Sequence, residues 1–282
     1  MECGNQNITT PADLERSAQD KMIEKNLSRI NRKILVMSGK GGVGKSTVAG
    51  FIALHLSARG YKVGLLDVDL HGPSIPQLMN VRGGLEMPGE GVVRPYRYSD
   101  SLGIVSMGIL LGDKDAAVIW RGPLKISAIR QFVSDIEWGD LDYLVIDSPP
   151  GTGDEPLTVA QTIPDAEALI VTTPQELSVA DVRKSINFCR QVKMKILGVV
   201  ENMSGFACPH CTEEINLFGS GGGTKMASQM GVTMLGEIPI DPEVVPMSDR
   251  GGLDSLMEKT DLEINRAYDQ ILEKIIGNGS GR

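Results

Sequence analysis

The sequence predicts an α/β protein built on a doubly wound, mostly parallel β-sheet. Two observations lead to this fold class. Short runs that are apolar throughout alternate along the chain with helical patterns, which is typical of parallel sheets covered on both faces. In addition, the 282 residues include 33 glycines but only 4% aromatic residues. That composition favours many tight strand–loop–helix joints over a sandwich or a barrel.

The predicted strands come in a regular succession. They lie at residues 33–38, 62–69, 102–108, 142–151, 167–173, 195–202 and 232–240. Helical patterns cover residues 48–60, 123–136 and 180–192. Because no repeat and no linker interrupts residues 33–276, one doubly wound domain is the simplest interpretation.

The two ends of the chain differ from this pattern. We expect residues 1–31 to form an N-terminal tail with a short helix at about 12–30, and residues 277–282 to form a disordered C-terminus. Residues 32–276 then form the main domain, which includes a cysteine-containing segment at 203–219. The last helical pattern, "DLEINRAYDQILEKII", could pack on the core or lie on a membrane surface. Its polar face carries more acid than base, so we favour the core.

Composition and charge exclude several classes of partner. A net charge of −8 argues against a broad nucleic-acid-binding face. No apolar run reaches the roughly 18 residues that a membrane helix needs. Residues 1–30 are polar and charged and contain no signal peptide, so the four cysteines are expected to be thiols or metal ligands. We therefore expect a cytoplasmic protein with neither nucleic acid nor membrane as a partner.

The segment "GKGGVGKST" matches a phosphate-binding loop between the first strand and its helix. Glycines let backbone N–H groups surround phosphate oxygens, and the helix directs its positive end at them. In this pattern Lys45 neutralises the β- and γ-phosphates of ATP, Ser46 binds Mg²⁺, and Thr47 reaches the α-phosphate. A chance glycine-rich turn would not explain the strand before the loop and the helix after it. The predicted nucleotide-binding loop comprises Gly39, Lys40, Gly41, Gly42, Val43, Gly44, Lys45, Ser46 and Thr47.

Acidic residues end two of the predicted strands. Asp67 and Asp69 close the second strand as "DVD", where a carboxylate can orient an attacking water or hold a magnesium-bound water. Asp147 ends the strand in "LVIDSPPG", in the position of a Walker-B aspartate beside Mg²⁺. Gly151, which follows it, suits a switch segment that responds to the γ-phosphate.

The early lysine in "KGGVGKS" resembles the deviant P-loop group that includes MinD, ParA and the nitrogenase iron protein. That resemblance implies a homodimer in which Lys40 reaches the partner's nucleotide and acts in catalysis. The alternative is a solvated lysine at the rim of the loop. The resemblance also makes Asp69 the better candidate for activating water.

Four further stretches resemble the Mrp/ApbC branch of these ATPases, over residues 32–250. They are "DVDLHGPSIPQLM", "WRGP", "WGDLDYLVIDSPPGTGDEPLT" and "GVVENMSGFACPHC". The resemblance implies an ATP-hydrolysing carrier of iron–sulfur clusters that delivers them to recipient apoproteins. It also implies that Asn202 reads the nucleotide base, with Pro239 and Asp241 near the same base. For those three residues, ordinary turn chemistry is the alternative.

Cys208 and Cys211 form a CxxC pair with three possible uses. A redox dithiol would need a helix after the pair, but "TEEINLFGS" is polar and leads into glycines. Zinc or a 4Fe–4S cluster needs four ligands, which two subunits would supply together. The residues leave zinc and iron–sulfur open, and the resemblance implies a labile 4Fe–4S cluster bridging the dimer. Cys189 lies in a helical pattern and is expected to be a buried thiol. Only Cys3 lies in the N-terminal tail, so a second cluster is not expected there.

Two other functions compete with the carrier. A MinD- or ParA-like positioning ATPase would carry no cluster, and the late CxxC pair argues against it. A metabolic P-loop kinase would need an acceptor pocket that the sequence does not identify.

Overall fold

The computed structural model describes residues 11–70, 72–89, 92–110, 122–208, 210–211, 213–259 and 262–277. Cys3 and the predicted disordered end from residue 278 lie outside this part of the chain. The strands are β1 Ile30–Met37, β2 Val63–Asp67, β3 Glu86–Gly89, β4 Val92–Arg94, β5 Tyr96–Arg97, β6 Leu102–Ser106, β7 Leu141–Asp147, β8 Glu167–Thr172, β9 Lys195–Asn202, β10 Phe206–Ala207, β11 Glu214–Ile215 and β12 Met234–Ile238. The helices are α1 Pro11–Leu27, α2 Lys45–Ala58, α3 Ile75–Leu78, α4 Met107–Leu110, α5 Gly122–Asp135, α6 Asp154–Thr162, α7 Glu176–Gln191, α8 Gly222–Met230, α9 Val244–Arg250, α10 Leu253–Met257 and α11 Glu263–Gly277.

Within the described residues, eight strands form one sheet in the order β12-β9-β8-β1-β7-β2-β6-β5. All neighbouring pairs are parallel except β5 with β6, at one edge. This confirms the predicted fold class, and each of the seven predicted strands is present. The strand order turns back at β1, whose neighbours are β7 and β8. In doubly wound sheets, such a switch point opens a crevice at the carboxyl ends of the strands.

Alternate residues of the central strand face two separate hydrophobic layers. In β1, Ile34 and Val36 pack with α2 and α11, while Leu35 and Met37 pack with α5, α6 and α7. All four side chains are fully buried. This two-sided burial explains why the strand is apolar throughout its second half.

Strand β1 begins earlier than the sequence predicts. The strand begins at Ile30, three residues before the predicted start at residue 33, and charged side chains at this end of the strand are paired. Arg32 binds Glu167 at 2.5 Å, and the buried Lys33 binds Asp165 at 2.6 Å. These ion pairs allow charged residues within a central strand.

The helix predicted at about 12–30 in the N-terminal tail is present as α1, and it packs on the rest of the chain. Helix α1 contacts α5, and its Ile23 and Leu27 are buried in the hydrophobic layer on that face of the sheet. Arg130 of α5 binds Asp20 of α1 across the same contact. Residues 11–27 therefore belong to the packed structure.

Helix α11 packs on the core, as expected from its charge balance. Ile264, Tyr268, Ile271, Leu272 and Ile275 are buried against the layer that contains α2. The apolar stripe that could have faced a membrane is thus covered by the protein itself.

One contact between α2 and α11 leads to a prediction about pH. His55 is 5% exposed and stacks on Tyr268, with ring centroids 5.4 Å apart. Burial lowers the pKa of His55 below 6.5, although Asp269, 3.3 Å away, acts in the opposite direction. Arg59 also lowers this pKa.

The native state therefore resists protonation at His55, whereas the unfolded chain accepts a proton below about pH 6.5. We expect stability to fall as the pH drops below that value, by at most about 1.4 kcal/mol per pH unit from this group. Urea unfolding of the wild type and His55→Gln between pH 7.5 and pH 5.5 would measure the difference. An equal pH slope in both proteins would contradict the prediction.

Candidate nucleotide site and cysteine hairpin

The glycine-rich loop lies at the carboxyl end of β1 and leads directly into α2. Two of its glycines are required by close contacts. A Cβ on Gly39 would lie 2.4 Å from the backbone oxygen of Asp181 in α7. Gly44 has a φ of 79°, and a Cβ there would lie 2.3 Å from Nδ2 of Asn202. The loop is therefore held between two later segments of the chain, with the N-terminus of α2 open to an anion.

Lys45 and Asp147 form a buried ion pair beneath this loop. Lys45 Nζ donates to Asp147 Oδ1 at 2.5 Å, and Nζ also lies 3.3 Å from the Ser46 hydroxyl oxygen. Asp147 is fully buried, and among the described residues its Oδ2 has no hydrogen-bond partner. A buried carboxylate oxygen beside a serine hydroxyl is a suitable neighbour for Mg²⁺ and its bound waters. The residues therefore fit both a phosphate group and the cation that accompanies it.

Asp67 lies directly beside Asp147, because the two residues are paired in the register of β2 and β7. Its Oδ2 accepts a hydrogen bond from Ser106 at 2.9 Å, and its Oδ1 accepts one from the Asp69 N–H at 3.1 Å. Burial, followed by the negative charge of Asp147, raises the pKa of Asp67 to about 8. A divalent cation would relieve this repulsion between neighbouring carboxylates.

Asp69 is less buried than these two residues and lies just beyond β2. Its Oδ1 accepts a hydrogen bond from the Gly72 N–H at 3.1 Å. Burial is the main cause of the raised pKa of Asp147, and the charge of Asp69 adds to it. The sequence prediction thus placed three acids at the carboxyl edge of the sheet, and the structure brings them together there.

Lys40 and Gly151 are both hydrogen-bonded to Ser38, the residue before the loop. The backbone oxygen of Lys40 accepts a hydrogen bond from Ser38 Oγ at 2.9 Å, and the side chain is half-buried. The Gly151 N–H donates to the Ser38 oxygen at 2.8 Å. The segment after β7 is therefore hydrogen-bonded to Ser38, the residue that comes directly before the phosphate loop.

A cavity of about 390 Å³ opens beside Gly44 and Thr47, where α2 begins. Asn202, Pro239 and Asp241 all line it, so the three residues implied to lie near the base do share one space. Asn202 Nδ2 also donates to the Val43 oxygen at 2.9 Å, which ties the end of β9 to the loop. The remaining walls come from residues that the sequence did not identify, namely Met203, Phe218, Ile240, Val244, Val245, Ser248, Asp249, Ile264 and Tyr268.

Cys208 and Cys211 lie at the tip of a hairpin made by β10 and β11. The Cys208 N–H donates to the Glu213 oxygen at 3.0 Å, which closes the turn. Cys208 is half-buried, and Cys211 is exposed. Backbone N–H groups of His210 and Cys211 lower the pKa of the Cys208 thiol, which favours the thiolate that metals bind.

The hairpin argues against two simpler uses of the cysteines. Helix α8 begins only at Gly222, so neither cysteine has a helix N-terminus to activate a dithiol. Among the described residues, no group of three or more His, Cys, Asp or Glu could hold a metal ion. Cys189 is fully buried against Met37, and burial raises its pKa to about 12. It is a core thiol, as expected.

Glu201 is a site residue that sequence reasoning missed. It is fully buried next to Asn202, and its Oε1 accepts a hydrogen bond from Ser204 Oγ at 2.7 Å. Its Oε2 accepts a hydrogen bond from the Gly223 N–H at the start of α8. One carboxylate therefore fastens both ends of the segment that carries the cysteines. One indication of this role was present in the sequence, namely a single acidic residue in the otherwise uncharged stretch "GVVENMS".

Comparisons with known proteins show the family of the chain. A profile of the ParA family, described as NUBPL iron-transfer P-loop NTPase, matches residues 29–276. The chain is 46% identical to the iron-sulfur cluster carrier protein of Methanocaldococcus jannaschii, over 98% of this chain and 96% of that protein. It is 50% identical to the cytosolic Fe-S cluster assembly factor CFD1 of Saccharomyces cerevisiae, over 79% and 78%.

Solved structures show the same fold. A nucleotide-binding protein in complex with ADP from Archaeoglobus fulgidus has 41% identity and a TM-score of 0.74, covering 84% of this chain and 93% of that one. MinD of Aquifex aeolicus has 23% identity and a TM-score of 0.61, covering 87% and 97%, and shares the fold alone. None of the described helices is long and apolar enough to cross a membrane. With its phosphate loop, buried carboxylates and matching profile, the chain belongs to the ParA/NUBPL family of iron-transfer P-loop NTPases.

Proposed function

We propose that this protein is an ATP-hydrolysing carrier that binds a labile 4Fe–4S cluster between two subunits and transfers it to apoproteins. The proposal depends chiefly on one observation. A buried strand end, Glu201–Asn202, touches the phosphate loop on one side and fastens the cysteine hairpin on the other. The relatives named as iron-sulfur cluster carriers and assembly factors support this choice of cargo.

The chain supplies each group that ATP hydrolysis needs. Lys45 faces the β- and γ-phosphates, and the N–H groups of the loop and of α2 surround them. Ser46 would hold Mg²⁺, and Asp67 and Asp147 would hold its bound waters. The bound cation would balance charge on the transferred phosphoryl group. Asp69, half-buried at the open edge of the site, would orient the attacking water.

The cysteines supply only part of a cluster site. One chain offers Cys208 and Cys211, whereas a 4Fe–4S cluster takes four thiolates. Because the hairpin tip is exposed, a two-fold axis passing beside it would bring the second pair into place. Such a site is open to solvent, which suits a cargo that must leave. Zinc would accept the same four thiolates and is the alternative occupant.

Anaerobic reconstitution with iron and sulfide would test the carrier. We expect a brown protein with broad absorption near roughly 400 nm, from thiolate-to-iron charge transfer. Transfer is then measured as loss of this absorption together with gain of activity in a recipient apoenzyme. A colourless dimer that retains zinc after the same treatment would show that the metal is structural.

A substitution at Lys40 would test the role of the dimer in hydrolysis. We expect Lys40→Ala to bind ATP with nearly unchanged affinity but to hydrolyse it at least about tenfold more slowly. The reason is that the variant lacks one positive charge that would stabilise the transition state. Steady-state phosphate release at saturating ATP measures this change. Lys184→Ala is a matched control, because Lys184 is an exposed lysine on α7 paired with Asp181. Unchanged turnover in Lys40→Ala would make Lys40 a residue of the loop rim.

A further inference from the structure

The chain that leaves the cysteine hairpin returns to the nucleotide cavity at Phe218. Among the described residues 205–219, Phe218 is the one that lines the cavity of about 390 Å³ containing Asn202 and Thr47. It stands seven positions after Cys211 and is 39% exposed. Val245, which is 67% exposed, lines the same cavity, and exposed apolar side chains grouped around a cavity are typical of ligand-binding grooves.

Phe218 also separates two spaces. On its other side lies a second cavity of about 590 Å³, lined by Arg183, Lys225 and the glycines before α8. Phe218 belongs to the segment 204–223, which carries the hairpin. Glu201 binds both ends of this segment, at Ser204 and at Gly223. Between these anchors, Gly219 and Gly221 have positive φ angles of 84° and 72°. Phe218 stands three positions after Ile215, the last residue of β11, so its position is connected to that of the hairpin through a short stretch of chain.

The nucleotide cavity has the chemistry of a base site. A nucleotide whose phosphates lie at Gly44 and Lys45 must extend its nucleoside past Thr47, which opens into this cavity. The walls are mostly apolar and include Ile240, Val244 and Tyr268, whereas Asn202 is one of the polar residues in the lining. Flat apolar walls with a few polar groups suit a purine, and an aromatic ring at the mouth can stack on its face.

We propose that Phe218 stacks on the base of the bound nucleotide and thereby links occupancy of the nucleotide site to the position of the cysteine hairpin. The biological role of this link rests on the proposed function, whereas the link between bound nucleotide and hairpin position does not. Coupling between two sites is reciprocal, so nucleotide affinity and metal affinity must change each other by the same factor. The hairpin connects the two sites, because it carries the cysteines and leads directly to Phe218.

Hydrogen exchange of the metal-free protein with ADP provides the test. Sedimentation is first used to choose a protein concentration at which the oligomeric state is the same with and without ADP. A change in hairpin exchange then cannot come from a subunit interface that covers the hairpin. In the wild type, saturating ADP is expected to slow exchange in residues 39–47 and also in residues 205–219. Phe218→Ala should bind ADP roughly tenfold more weakly, the size of a lost base–aromatic stack. At saturation it should keep the protection of the phosphate loop and lose that of the hairpin.

Two further variants make the test specific. Phe218→Tyr retains the ring and should retain hairpin protection. Val245→Ala removes an exposed side chain from α9, on another wall of the same cavity, and should leave hairpin protection at saturation unchanged. Equal hairpin protection in Phe218→Ala and wild type would overturn the inference, as would a wild-type hairpin indifferent to ADP. Failure of cluster reconstitution, with the ADP effect intact, would remove the carrier function and leave the Phe218 link standing.

Discussion

Replacement of Lys45 by alanine is expected to abolish tight ATP binding. The ammonium group lies 2.5 Å from Asp147, and in the proposed site it would bind the β- and γ-phosphates. Hydrogen bonds between charged groups contribute about 1.5–3 kcal/mol each, so losing contacts to two phosphates weakens binding on the order of a hundredfold or more. Isothermal titration calorimetry with Mg²⁺ and a slowly hydrolysed ATP analogue measures this loss.

The effect of Lys45→Ala extends beyond the missing charge. Burial already raises the pKa of Asp147, and Lys45 is the main influence that lowers it. Without the lysine, the carboxyl group is expected to take up a proton, and Mg²⁺ loses a negative neighbour. The variant should therefore bind nucleotide poorly at any Mg²⁺ concentration.

Lys33→Ala is the matched control for this substitution. Lys33 is also a buried lysine paired with a carboxylate, Asp165, but it lies toward the amino end of β1, away from the loop. Lys33→Ala should lower the free energy of unfolding and leave ATP affinity unchanged. Tight ATP binding by a folded Lys45→Ala protein would exclude residues 39–47 as the phosphate site.

The sequence predicted the sheet well because its strands are buried on both faces. In β7 and β8, nearly every residue must be apolar, so each strand is visible as an uninterrupted run. The phosphate loop was visible for a related reason. Gly39 and Gly44 have no room for a side chain beside Asp181 and Asn202, so the local sequence has few alternatives.

Residues whose role depends on distant contacts were harder to find. Glu201 looks like one acid in a strand, and only the fold places Ser204 and Gly223 against its two oxygens. Phe218 looks like an isolated aromatic before glycines, and only the fold returns it to Asn202. The short hairpins were missed because strands of two residues, such as β10 and β11, have no periodicity to detect.

Cys208→Ser and Cys211→Ser are each expected to lose the cluster. A serine hydroxyl stays protonated and binds iron poorly, whereas a thiolate is a good ligand. Cys208→Ser removes a further advantage. Backbone N–H groups lower the pKa of the Cys208 thiol and so favour the thiolate, whereas a serine hydroxyl would stay neutral in the same place. Iron content after anaerobic reconstitution should fall from the wild-type value to near background in both variants.

Cys189→Ala controls for the general loss of a thiol. Cys189 is fully buried beside Met37, away from the hairpin, so its removal should reduce stability but leave iron content unchanged. When all the proteins are compared free of metal, both hairpin variants should also keep wild-type ATP affinity, because the contacts of Lys45, Asp147 and Asn202 do not involve the cysteines.

The same variants decide whether the cluster joins two subunits. If four thiolates from two chains bind one cluster, the free energy of metal binding is also free energy of association. Reconstituted wild type should then sediment as a dimer at concentrations where Cys208→Ser and Cys211→Ser are monomeric, and a chelator should dissociate the wild-type dimer. Dimerisation that is identical in all three proteins would place the contact elsewhere on the surface. A Cys208→Ser protein with wild-type iron would remove this cysteine pair from the carrier mechanism, and the nucleotide site would be unaffected by either result.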